Sequence, residues 1–176
     1  DLNEERYREI FTFPVRKYYE KAGFDFSRED FSVPAIGFIE QYDALVRNCG
    51  LFEQAEAALA SFREKEYTQV ILSAMQHDLL NKLVEENGIS QYFSVISGID
   101  DHYAEGKLEN ARKLLHRLDG NAGETILIGD TLHDHEVGRE LGLRVILVAW
   151  GHQSPERLGA SGREIAHSFG ELKSII

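Results

Sequence analysis

Two features of the sequence predict an α/β fold built on a doubly wound parallel sheet. From residue 51 onward, short apolar or β-branched runs such as Val70-Ile71-Leu72 and Ile126-Leu127-Ile128 are bounded by charge or glycine, as strands buried on both faces are. Between the runs lie stretches of helical spacing, roughly 10 to 15 residues long, which implies right-handed crossovers between parallel strands. The length agrees: 176 residues with 43% hydrophobic content bury a full core and leave room for a small accessory unit.

Residues 1–50 are expected to form that unit. They hold no convincing strand pattern, and Tyr7, Ile10 and Phe11, then Val15, Tyr18 and Tyr19, then Phe38, Ile39, Tyr42, Leu45 and Val46 recur at helical spacing. Interruptions are expected at Pro14, Gly23 and Pro34. Residues 51–176 then read as βα alternation. A helix over 54–65 leads to a strand over 69–73, and a helix with Leu79, Leu80, Leu83 and Val84 inward ends at Asn87-Gly88. A strand over 93–97, a helix over 107–118 and a strand over 125–129 follow. A helix over 133–141 is closed by Gly142, and a strand over 144–148 comes next. A short strand over 165–168 and a terminal helix over 171–176 complete the pattern.

Charge and cysteine content narrow the function classes. The 19 basic and 30 acidic residues give a formal charge of -11, which argues against a nucleic-acid partner or an anionic membrane surface. An anionic ligand must therefore be drawn in by local cations. Cys49 is the single cysteine, which excludes disulfides and multi-cysteine zinc sites within the chain and fits a reducing cytoplasm. No apolar run approaches the roughly 18 residues that span a bilayer. The sequence opens on Asp1 without a methionine or a signal-peptide pattern, so Asp1 need not be the true beginning.

Candidate chemistry gathers at three strand ends. Gly129-Asp130-Thr131-Leu132-His133-Asp134 follows an apolar run and places two carboxylates where a strand gives way to a helix. In open α/β sheets ligands bind at that edge, and two hard oxygen donors suit Mg²⁺; the ordinary alternative is an Asp N-cap with a solvated first-turn Asp. Val70-Ile71-Leu72 ends on Ser73, whose hydroxyl and neighbouring backbone N–H groups, at Ala74, suit a phosphoryl oxygen; otherwise Ser73 caps the next helix. Lys107, after Gly106, opens a helix against the macrodipole, which is explained by an anion to neutralise or by simple exposure. Because Ser73, Lys107 and Asp130 follow successive crossovers of one hand, they should converge on one rim.

Taken together, these motifs resemble the haloacid dehalogenase superfamily, in particular its phosphoglycolate-phosphatase-like branch with a helical cap. The matching segments are Val70-Ile71-Leu72-Ser73, Gly106-Lys107 and Gly129-Asp130 to Asp134, in the family's order and spacing. The resemblance implies a small helical cap over residues 1–50 and an α/β core over 51–176. It implies that Ser73 binds the transferring phosphoryl group, that Lys107 neutralises nucleophile and phosphate, that Asp130 ligates Mg²⁺, and that Asp134 supports that shell or the lysine. The implied activity is Mg²⁺-dependent hydrolysis of a small phosphorylated metabolite through an aspartyl phosphate.

The family's first motif, Asp-x-Asp-Gly-Thr after a buried strand, has no match. Asp1-Leu2-Asn3 lacks the second aspartate, and Asp25-Phe26-Ser27 lies after the first helix of the cap. A nucleophile and a central strand are thus expected to be missing from residues 1–176, which would leave this chain inactive. The alternatives are a phosphate-binding or interaction module without a nucleophile and a sugar-phosphate mutase. His133, His135 and Glu136 read as solvated, because residues two apart on a helix diverge. The aromatics Phe11, Phe13, Tyr18, Tyr19, Phe24 and Phe26 either line a substrate pocket or pack the small helical unit.

Overall fold

The computed structural model describes residues 2–99 and 107–176. Three helices come first, α1 (Glu4–Ile10), α2 (Val15–Ala22) and α3 (Ser32–Val46). Local chemistry sets their ends: Asn3 caps α1 by accepting from the Arg6 N–H at 2.8 Å, and Gly23 closes α2 in the left-handed region at φ 106°. Pro34 does not interrupt the chain as the sequence suggests. It lies in the first turn of α3, where a missing N–H costs nothing because that donor has no helical acceptor.

The βα part comprises α4 (Ala55–Glu64), β1 (Val70–Gln76), α5 (His77–Glu86), β2 (Val95–Ile99), α6 (Lys107–Arg117), β3 (Ile126–Gly129), α7 (Leu132–Leu141), β4 (Arg144–Val148), α8 (Pro155–Gly159), β5 (Glu164–Ala166) and α9 (Phe169–Ile175). All strand pairs are parallel. β4 is the buried centre: Ile146 and Leu147 are 0% exposed. Ile146 and Val148 pack with Ala58 and Phe62 of α4 and Leu172 of α9, whereas Val145 and Leu147 pack with Leu158 of α8. Helices thus cover both faces, as a doubly wound sheet requires. Gly138 lets α7 lie close to β4, since a Cβ there would overlap Val145.

Three departures from the sequence pattern matter. The ladders form two separate sheets, β1–β2 and β3–β4–β5, rather than one. β1 runs past Ser73 to Gln76 through an irregularity: Leu72 pairs with Ser97 and Gln76 with Ile99, so residues 73–75 bulge from the ladder. The unexpected helix α8 begins with Ser154 as N-cap and Pro155 in its first turn, a start signal present in the sequence.

Candidate active site

Asp130 follows directly on β3, and the helix it introduces is capped by its neighbour. Thr131 is the N-cap of α7 and forms a capping box with Asp134, so the ordinary reading of Asp130 as a cap does not hold. One Asp130 oxygen, Oδ2, accepts from the His152 backbone N–H at 2.6 Å. That approach depends on Gly151, where a Cβ would overlap the Asp130 carboxylate.

Asp134 is 2% exposed and fully engaged. Its Oδ2 accepts from the Asp130 N–H at 3.1 Å, the Thr131 N–H at 3.0 Å and the Thr131 hydroxyl at 2.7 Å, while Oδ1 meets Lys107 Nζ at 2.5 Å. Burial pushes the Asp134 carboxyl up, but the Lys107 ammonium and the hydrogen bonds from Lys107 and Thr131 outweigh it and hold the group below its ordinary value. Gly129 is needed here too, since a Cβ would overlap Asp134.

Ser73 lies in the bulge of β1, and its hydroxyl accepts from the Met75 N–H at 3.1 Å. It does not cap the next helix: Gln76 does, accepting from the Leu79 N–H at 2.8 Å. Ser73, Ala74, Lys107, Asp130 and Asp134 all border one cavity of about 450 Å³, so these segments converge although Ser73 lies within β1 rather than at its end. Residues 100–106, which include the Gly106 of the Gly106-Lys107 match, lie outside the described residues, as does Asp1.

The other constellations resolve simply. His133 faces Glu136 at 3.4 Å, while His135 accepts from Arg163 at 3.3 Å, so the two imidazoles take different partners. Asp25 closes a turn by accepting from the Ser27 N–H and hydroxyl. Trp150 packs on Phe169, with ring centroids 4.7 Å apart, in the core beside α9. Phe11, Phe13, Tyr18 and Tyr19 line the cavity, whereas Phe24 and Phe26 stack on each other elsewhere.

Residues after β4 join the helical unit to this rim, and the sequence reading missed them. Gln153 is 2% exposed; it accepts from the Leu132 N–H at 2.8 Å and donates to the Phe11 carbonyl at 2.9 Å. His152 stacks on Phe11 and hydrogen bonds the Tyr7 hydroxyl through Nδ1 at 2.5 Å. Arg8 donates to the carbonyls of Ala149 and Gln153, and Arg157 to those of Arg8 and Phe11. The Thr131-x-x-Asp134 capping signal was legible in the sequence, but no local signal marks Gln153.

Comparison with known proteins places this arrangement. The family model described as haloacid dehalogenase-like hydrolase matches residues 1–148. The chain belongs to this family. As a haloacid dehalogenase-like protein it is 28% identical over 117 residues to the pyrophosphatase PpaX of Listeria monocytogenes, covering 66% of this chain and 52% of the relative. It is 30% identical over 129 residues to a plasmid-encoded phosphoglycolate phosphatase of Cupriavidus necator, covering 72% of this chain and 55% of the relative. The chain therefore spans about half the length of these relatives. A haloacid dehalogenase-like hydrolase from Streptococcus pneumoniae shares the fold, with a TM-score of 0.80 at 20% identity over 92% of this chain and 76% of that one.

The donor set fits Mg²⁺. Magnesium is held by one or two carboxylates together with waters and substrate oxygens, and Asp130 offers a carboxylate of which one oxygen is fixed by a backbone N–H. Asp134, with both oxygens engaged, is suited to hold the lysine and the Asp130 backbone. Among the described residues no three His, Cys, Asp or Glu side chains cluster as a protein-only metal cage, and no helix is long and apolar enough to cross a membrane.

Proposed function

We propose that the intact protein is a Mg²⁺-dependent phosphatase of a small phosphorylated metabolite that works through an aspartyl phosphate. Residues 1–50 would be its cap and residues 51–176 its core. The observation that carries this reading is the meeting of Ser73 and Ala74 from the bulge of β1, Lys107 from the start of α6 and Asp130 from the end of β3 in one cavity. The family match and relatives named as phosphatases support it.

The reaction has two displacements. An aspartate oxygen bonds to phosphorus as the phosphorus–alcohol oxygen bond breaks, the second aspartate of the Asp-x-Asp motif giving its proton to the leaving alcohol; that second carboxylate then takes a proton from the water that attacks the same phosphorus, releasing the nucleophilic carboxylate and inorganic phosphate. The Ser73 hydroxyl donates to a phosphoryl oxygen, and the Lys107 ammonium balances the charge of phosphate and nucleophile. Asp130 would hold the Mg²⁺, which when bound supplies further neutralisation of the phosphoryl oxygens. Asp134 keeps Lys107 in place.

The nucleophile is proposed to ride on a strand outside residues 1–176. Among the described residues β1 and β3 each pair on one side only, and both border the cavity. Ile128, in the middle of an apolar strand, is 41% exposed. A further parallel strand between β1 and β3 would bury such side chains, worth about 1.5–3 kcal/mol each, and would deliver its C-terminal residue to the rim. The test compares residues 1–176 with the full product of the encoding gene. Phosphate release only from a longer product carrying Asp-x-Asp supports the reading. Robust Mg²⁺-dependent release by a purified chain confirmed by mass to begin at Asp1 rejects it in favour of another nucleophile, and phosphate binding without turnover in the full product favours a non-catalytic module.

A further inference from the structure

We propose that the group esterified to the phosphate is neutral and aromatic, so that the substrate is an aryl-type phosphomonoester without a second anionic group. This rests on the phosphatase reading of the same cavity. The wall contributed by residues 1–50 is built largely from rings: Phe11, Phe13, Tyr18, Phe31, Phe38 and Tyr42 all line the cavity. They are already arranged in ring contacts, Phe11 edge-on to Phe13 with centroids 5.5 Å apart, Phe11 5.3 Å from Tyr18, and Phe38 stacked on Tyr42 at 5.8 Å. A flat ring entering this wall finds faces and edges of complementary charge in place.

Charge makes the same selection. Lys107 is the one lysine or arginine among the described residues that line the cavity, and it is bound to Asp134. Asp43 lines the helical side, and Asp130 lines the sheet side. With the phosphate itself matched by Lys107 and the Mg²⁺ that Asp130 would hold, a carboxylate or second phosphate on the substrate would face rings and carboxylates among the described lining residues, where His152, stacked on Phe11 and bonded to Tyr7, is the remaining group able to carry positive charge. Burial also raises the Tyr18 and Tyr42 hydroxyls above their ordinary value, which keeps them neutral donors for a ring substituent. Phosphoglycolate and pyrophosphate both carry a second anionic group, so this chain would differ from the relatives named for them.

Calorimetric titration of the full gene product with Mg²⁺ tests this without turnover, using inorganic phosphate, phenylphosphonate and phosphonoacetate as probes. Phenylphosphonate should bind at least about tenfold more tightly than phosphonoacetate. Tyr18→Leu and Phe38→Leu, checked for an intact fold by circular dichroism, should shrink that ratio, and Phe38→Arg should shift it toward phosphonoacetate. If inorganic phosphate binds but phosphonoacetate matches or beats phenylphosphonate, or the ratio is unmoved in folded variants, the aromatic leaving group is rejected while the phosphatase reading stands. If none of the three binds in a Mg²⁺-dependent way, the phosphatase reading falls and the substrate class falls with it.

Discussion

The Lys107 ammonium lies 2.5 Å from the Asp134 carboxylate, with the two side chains 15% and 2% exposed. Removing one partner of such a pair strands the other charge away from water. We therefore expect Lys107→Ala and Asp134→Asn each to destabilise the fold by about 3–5 kcal/mol, read as a lowered urea midpoint. From sequence alone, Lys107 reads as a helix-start residue that either neutralises an anion or is simply exposed, roles in which its loss would spare the fold. A change below about 1 kcal/mol, the value of an exposed pair, would return it to that role.

The same pair sets a pH dependence. With its folded value held below the ordinary carboxylate range, Asp134 binds fewer protons folded than unfolded, so its contribution is fully present above the unfolded pKa of about 3.9 and is lost as pH falls through the folded value. The stability gap between wild type and Asp134→Asn should be wide at neutral pH and narrow on acidification. Parallel stability curves for the two proteins across the acid range would show that Asp134 does not titrate in this way.

Asp130 and Asp134 should differ in their effect on the metal. On the proposed assignment Asp134 would act on Mg²⁺ through the Asp130 backbone and Lys107, so Asp134→Asn should weaken Mg²⁺ binding by about 10–100-fold, and Asp130→Asn by more, in titrations of the full gene product. Equal or reversed losses would overturn the assignment of Asp130 as the direct donor.

Gly151 offers a finer probe of the same carboxylate. Gly151→Ala forces Asp130 off the His152 N–H, because the new Cβ occupies its place, and should lower Mg²⁺ affinity. Gly159→Ala, in α8 with nothing near its added Cβ, should leave Mg²⁺ affinity unchanged and alter stability by no more than about 1 kcal/mol. Identical titration curves for Gly151→Ala and wild type would mean that the Asp130–His152 contact does not position the metal donor.

The sequence by itself determined the βα alternation, the parallel strands, the placing of Asp130 directly after a strand and that of Lys107 at a helix start, because hydrophobic period and glycine punctuation are local properties of the chain. β4 over 144–148 was legible to the residue, since a strand buried on both faces is apolar throughout. Only the tertiary structure decided which groups meet. The run of β1 to Gln76 depends on its pairing with Ile99, and the engagement of Asp134 by Lys107 joins residues 27 positions apart. Gln153 carries no local signal because its partners, Leu132 and Phe11, come from distant segments. The break between the two sheets was foreseen only through the family resemblance, which left a central strand unaccounted for; neither strand's own pattern marks it, since an unpaired edge is a property of what lies beside a strand and not of its own residues.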